Sequence, residues 1–198
     1  GTVTYVDPDS GAFGALGHGI NDVDTALLMP LEEGTILPAT VVGVNKGQAG
    51  TPGQLKGSFD SSGFLGSLQA NTSSGIFGQL ESVNWADGQA VEVAQNSQVH
   101  TGKATILSNI SGDQGEEYEI EIVKIFPDSQ QDGRDYLITV TYQRLLETTG
   151  GIVQGMSGSP IIQNGKLIGA VTHVFVSDPT RGYAIFCENM YESGISNY

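Results

Sequence analysis

The stretch GGIVQGMSGSPIIQNGKLIGAVTHVFV, from Gly150 to Val176, decides how the rest of the chain is read. Two small hydroxyl residues, Ser157 and Ser159, stand among glycines just ahead of an apolar run. Glycine weakens a strand interior and is useful where the backbone turns sharply or approaches a ligand. The stretch is therefore either a tight connection between strands or a turn that exposes a serine hydroxyl beside gathered N–H groups. Downstream, Asn164-Gly165 separates two apolar runs, the strongest short hairpin signal there is.

The same texture extends outward. Short β-type runs recur: TVTYV, ILPATVVGV, SGFLGSLQ, GIFGQL, KATILSNI, EYEIEIVKIF, DYLITVTYQ, SPIIQ, KLIGAVTHVFV and GYAIFC. Turn chemistry separates them, as in DPDSG, NKGQAGTPG, DSSG, SGDQG and PDSQQDG. From Glu117 to Ile125 acidic and apolar residues alternate, as a half-buried antiparallel strand requires. Only YQRLLETTG, closed by Gly150, reads as a brief helix. About ten strands with regular turns mean a sandwich or barrel system. A chain of 198 residues fits one generous domain or two small barrels sharing an interface. No internal repeat, low-complexity block or linker-like shift divides it.

Composition narrows the function classes. The 28 glycines far exceed ordinary usage of about 7% and follow no collagen-like period, which fits a turn-rich all-β protein. A net charge of −14 excludes nucleic acid as the partner, since its affinity rests on Lys and Arg neutralising phosphates. The same charge suits solubility in a secreted or salty setting. Cys187, the single cysteine, rules out an intrachain disulfide framework and is expected as a buried, inert thiol. No apolar run approaches the roughly 18 residues that span a bilayer, and no signal-peptide pattern is present. Any anchor or signal segment is expected upstream of Gly1. No His/Cys/Asp cluster has metal-ligand spacing, so neither a metal nor another cofactor is expected. The glycines come without the Lys-Ser/Thr step of a phosphate-binding loop.

Acyl transfer by serine needs a nucleophile, a base within reach and donors for the oxyanion. Gly155-Met156-Ser157-Gly158-Ser159-Pro160 has the spacing of the G-D-S-G-G-P turn of chymotrypsin-like proteases. That register makes Ser157 the nucleophile, with the N–H groups of Gly155 and Ser157 as oxyanion donors. Gly158 would keep Cβ bulk out of the attack path. The base must be one of three histidines. His18 lies between glycines in GALGHGINDVDT, with a strand leading into it. His100 reads as a surface residue without glycine support. His173, on an apolar strand 16 residues past the serine, is either a satisfied core histidine or a wall of the pocket for the substrate's P1 side chain.

The chain resembles the SpoIVB peptidase family, serine peptidases of the chymotrypsin-like clan. The resemblance is carried by GTVTYVDPDSGAFGALGHGINDVDT, by SSGIFGQL, and by LLETTGGIVQGMSGSPIIQNGKLIGAVTHVFVSDPTRGYAIFCENM. It implies two β-barrels with the active site in the cleft between them, His18 as base and Ser157 as nucleophile. Family members commonly carry an aspartate fifteen residues before the serine, where this chain has Tyr142. The third triad member is thus Tyr142, a substitute among Asp22, Asp24 and Asp135, or missing. Asp24, in the family-like DVDT step, is expected to bond its own loop. Family members also carry an upstream membrane anchor and a PDZ domain, so residues 1–198 are expected to be a single peptidase domain of a longer chain.

The resemblance further implies a protein or peptide substrate, with no direct membrane insertion by this domain. Localisation would be extracytoplasmic, in the space between forespore and mother-cell membranes. There the family's peptidase cleaves a regulatory protein and releases a membrane-embedded protease that processes a sigma-factor precursor. Two other classes stay open: a pseudoprotease that binds extended peptide in the cleft without efficient turnover, and an all-β structural or adhesion module.

Overall fold

The structure, a computed structural model, describes residues 1–82, 90–126 and 133–196. The PDSQQDG turn expected from the sequence lies, up to residue 132, outside the described residues. The first half contributes β1 (Val3–Val6), β2 (Ala12–Ala15), β3 (Thr35–Ile36), β4 (Ala39–Asn45), β5 (Gln54–Phe59), β6 (Gly66–Thr72) and β7 (Gly75–Leu80). The second half contributes β8 (Gly102–Ser108), β9 (Glu116–Ile125), β10 (Tyr136–Val140), α1 (Gln143–Thr149), β11 (Pro160–Gln163), β12 (Lys166–Phe175), β13 (Asp178–Phe186) and α2 (Cys187–Ile195).

The second half closes into a six-stranded antiparallel barrel in the order β10-β13-β12-β11-β8-β9. Its strands follow the sequence periodicity closely. On β9, Tyr118, Ile120 and Ile122 are buried while Glu117, Glu119 and Glu121 face solvent. Asn164 and Gly165 both take positive φ, 52° and 76°, and join β11 to β12 through the paired Gln163 and Lys166. This is the left-handed turn that matches the twist of a two-residue hairpin. α1 ends where the sequence placed its stop, at Gly150 with φ 78°.

The first half is a lobe of a different kind. Its five-stranded sheet, in the order β1-β2-β7-β6-β3, stays open, and β4 and β5 form a separate two-stranded ribbon that touches the second half through isolated bridges of Val41 with Gly112 and Gln54 with Gln154. Most side chains of β4 and β5 are exposed or half-buried. They lack an apolar face that could fill a barrel interior, so closing this lobe would gain little. The all-β, chymotrypsin-like arrangement stands, with one closed barrel and one open half-barrel.

Helix α2 was not legible as a helix. It follows β13 without a break, so that Cys187 opens the helix instead of ending a strand. Its Met190, fully buried, joins Phe77 of β7, Ala170 of β12 and Ile185 of β13 in one cluster. That cluster draws residues from both lobes and fixes one against the other across the cleft.

Candidate active site

The base candidate is delivered by a kink. β2 ends at Ala15, and Leu16 and Gly17 then both adopt left-handed conformations, with φ of 69° and 71°. For a non-glycine residue this conformation costs roughly 1–2 kcal/mol, so the leucine is held there by its surroundings. A Cβ on Gly17 would meet Thr172 Cγ2 at 2.8 Å and Ile185 Cγ2 at 2.9 Å. The chain therefore presses directly on the wall of the second lobe, which sets His18 over β12.

His18 is half-buried, and its Nδ1 lies 2.8 Å from the carbonyl oxygen of Gly19. A carbonyl can only accept, so Nδ1 carries the hydrogen and Nε2 keeps a lone pair. That is the tautomer a general base needs. Its ring also packs against His173, with centroids 5.3 Å apart and planes tilted by 38°. His173, half-buried, lines an open cavity of about 570 Å³ together with Arg134, Val174, Phe175 and Tyr183. His173 thus lines this cavity and stands outside the buried apolar cluster of the barrel.

The two serines separate cleanly. Ser159 is fully buried, and its Oγ donates to Ser108 Oγ at 3.2 Å. Ser157 is half-buried at the cleft, and its Oγ donates to the carbonyl oxygen of Thr172 at 3.0 Å. Around Ser157 the N–H groups of Met156, Gly158 and Ser159 donate to the carbonyls of Val153, Val171 and Met156. Those of Gly155 and Ser157 donate to no protein acceptor among the described residues. The turn thus leaves open the two N–H groups that an oxyanion would occupy. Gly158, with φ 90°, owes its identity to the first lobe: a Cβ there would run into the carbonyl oxygen of Thr2 and lie 2.6 Å from Leu16 N. The sequence had offered a clear attack path as the reason.

The four orienter candidates are spread over the molecule. Tyr142 is the N-cap residue of α1 and sets its ring edge-on to Tyr118, 5.6 Å between centroids. Asp22 turns back on its own loop, where its Oδ1 accepts from the N–H and the hydroxyl of Thr25, both at 2.8 Å. These bonds, the hydroxyl first, hold its carboxyl below the ordinary range. Asp24 is exposed in the same loop. Asp135 is buried, and its Oδ2 accepts from Phe186 N at 2.7 Å and Asn189 Nδ2 at 3.0 Å, tying β13 to α2. Among the described residues no carboxylate touches the ring of His18, whose partners are the Gly19 carbonyl and the His173 ring. His100 is exposed, and no group of three or more potential metal ligands occurs among the described residues.

A model of the SpoIVB peptidase S55 family matches residues 1–191. The chain belongs to that family. As a SpoIVB-family serine peptidase it acts on protein or peptide substrates. No curated protein matched it. Among solved structures it is similar to the inactive form of Rv3671c from M. tuberculosis H37Rv, a serine-to-alanine mutant, at 16% identity and a TM-score of 0.47. That match covers 83% of this chain and 78% of the other. It is also similar to the active form of the Rv3671c protease, at 13% identity and a TM-score of 0.46, covering 87% and 94%. No helix among the described residues is long and apolar enough to cross a membrane.

Sequence reasoning missed two contacts, those of His18 with the carbonyl of Gly19 and of Ser157 with the carbonyl of Thr172. Both act through the main chain, so their side-chain types carry no signal. The glycine at 19 gives only a hint that the backbone there approaches something closely.

Proposed function

We propose that this SpoIVB-family peptidase is a serine endopeptidase with Ser157 as nucleophile, His18 as base and the N–H groups of Gly155 and Ser157 as oxyanion donors. The observation that carries the reading is the unused N–H pair in a turn whose other N–H groups are all engaged. For attack, the Ser157 hydroxyl leaves the Thr172 carbonyl by rotation about χ1 and turns toward His18 Nε2. The imidazole takes the proton as Oγ bonds to the substrate carbonyl carbon. The oxyanion then receives hydrogen bonds from the two amides. The imidazolium returns its proton to the leaving amine, and a water molecule repeats the sequence to release the acyl group.

The Gly19 carbonyl does part of an acid's work. It enforces the correct tautomer, and the wrong tautomer is what makes the Asp-to-Asn change in the trypsin triad cost about 10⁴. It brings only a dipole to the imidazolium, and no carboxylate among the described residues adds a charge beside the ring. The cavity beside His173 takes the substrate side chain. The reaction proposed is cleavage of a regulatory protein in a sporulation pathway, in the extracytoplasmic space between two membranes. Family membership alone supports this physiology.

A second reading, a peptide-binding pseudoprotease, is favoured by the Ser157 hydroxyl resting on Thr172 instead of His18. A serine-directed phosphonate decides between the two readings. A covalent adduct on the peptide containing Ser157 supports the enzyme. Peptide binding without adduct or cleavage supports the pseudoprotease.

A further inference from the structure

We propose that Thr2 and Thr4, at the start of the first lobe, are positioning residues that lock the nucleophile turn in its oxyanion-binding conformation. The inference rests on the serine-peptidase reading and adds to it a part supplied by the opposite lobe. Gly155 and Gly158 flank Ser157 with φ of 102° and 90°. Glycine takes positive and negative φ about equally, so both flanking positions are free to flip unless something holds them. A flip at Gly155 would turn its own N–H away from the cleft, and a flip at Gly158 would turn the peptide that follows Ser157 and shift the serine between its two neighbouring planes.

Each peptide is a rigid plane, so holding its carbonyl aims its N–H. The two planes that carry the oxyanion donors are tied within the second lobe and to β5. The Gln154 carbonyl accepts from Leu55 N at 2.8 Å, and the Met156 carbonyl accepts from Ser159 N at 2.9 Å. The other three carbonyls of the turn are taken by β1 and the residue before it. Thr2 N donates to the Ser157 carbonyl at 2.8 Å, and Thr2 Oγ1 to the Gly155 carbonyl at 3.4 Å. Thr4 Oγ1, buried, donates to the Gly158 carbonyl at 2.8 Å. The Thr2 carbonyl in turn accepts from Leu16 N at 3.2 Å, on the kink that delivers His18. One residue thus spans from the serine to the backbone behind the base. The hydroxyl of Thr4 is a donor that valine, of nearly the same shape, cannot replace.

The test compares Thr4→Val and Thr4→Ser with the parent, using peptide turnover, phosphonate labelling and amide hydrogen exchange. For Thr4→Val we expect kcat to fall about 10- to 100-fold, the range that follows from small misplacement of reacting groups. KM should stay within about twofold, because the turn acts on the transition state. Labelling should fall in parallel, and exchange at Gly158 and Ser159 should quicken while the remaining barrel is unchanged. Thr4→Ser keeps the hydroxyl and should return kcat to within about threefold of the parent. A chain that neither cleaves nor labels overturns the peptidase reading, and faster local exchange in Thr4→Val would then still support the lock. Parental kcat and exchange in Thr4→Val overturn the proposal. So does a pattern in which valine is tolerated and serine is not, since that reports methyl packing. If Thr4→Val fails to fold, Thr2→Pro removes the donor to Ser157 and should show the same selective loss of kcat; parental kcat there overturns the proposal equally.

Discussion

Exchanging the two serines for alanine one at a time should produce opposite signatures. Ser157→Ala removes one half-buried bond to the Thr172 carbonyl, worth about 0.5–1.5 kcal/mol, so stability should change little. Ser159→Ala leaves the buried Ser108 hydroxyl without its donor and should cost about 1–3 kcal/mol. Activity should divide the other way. In subtilisin, loss of the serine costs about 2 × 10⁶ in turnover, while loss of the aspartate alone costs about 3 × 10⁴. If the Gly19 carbonyl substitutes fully for an acid, Ser157→Ala should lower kcat by about 10⁶. If it contributes nothing, the parent already sits near the acid-less level, and the fall should shrink to about 10². The size of the loss therefore measures how good the carbonyl is as an orienter. The assay is turnover on one peptide and phosphonate adduct formation by mass, with urea midpoints recorded in parallel. A Ser159→Ala variant that is stable but unlabelled, beside a Ser157→Ala variant that still reacts, would refute the assignment.

Three further outcomes follow from the geometry. Tyr142→Asp should leave kcat within about threefold of the parent. It gives up an edge-to-face contact worth about 0.5–1.5 kcal/mol and gains an N-cap for α1 of similar size; a rise of about 100-fold or more would mean that a carboxylate at 142 reaches His18. His173→Ala should shift cleavage preference across a peptide library, because the residue lines the cavity beside the base; unchanged preference with unchanged stability would remove it from the pocket. Burial pushes the Cys187 thiol from 9.0 up to about 12, so the folded state holds its proton more tightly than the unfolded chain does. That stabilisation is complete below about pH 9 and is lost as pH rises toward 12, at up to about 1.4 kcal/mol per pH unit. Urea titrations between pH 9 and 10, below the range of the strongly raised Tyr136 phenol, should show a slope that Cys187→Ala lacks.

What the sequence made legible was whatever acts through side-chain periodicity or turn chemistry. The alternation along β9, the Asn164-Gly165 hairpin, the Gly150 stop of α1 and the serine turn all lie within about ten residues of their own signals. The open first lobe was harder, because β4 and β5 carry β-type residues yet face solvent, and only the pairing partner decides between ribbon and barrel wall. Helix α2 escaped because its short amphipathic pattern continues directly from β13, and its three buried residues are a cysteine, a methionine and a glycine. The contact of His18 Nδ1 escaped for a different reason: a search among aspartates looks for side chains, whereas the partner found among the described residues is a main-chain carbonyl one residue away.

That local solution has a structural consequence. A distant carboxylate would tie the orientation of His18 to the packing of another strand. A carbonyl on the next residue ties its Nδ1 to the local backbone of Leu16, Gly17 and Gly19, beside the packing of its ring on His173. The burden of assembling the site then falls on how this kink is held against the second lobe. Gly17 does so by contact with Thr172 and Ile185, and Thr2 does so by its paired bonds to Leu16 and Ser157. The cluster of Phe77, Ala170, Ile185 and Met190 adds the apolar part of the same junction. With His18 and Ser157 in the roles proposed above, both of them and the serine turn depend on one inter-lobe seam, and a change anywhere along it should reach kcat before it reaches the stability of the closed barrel.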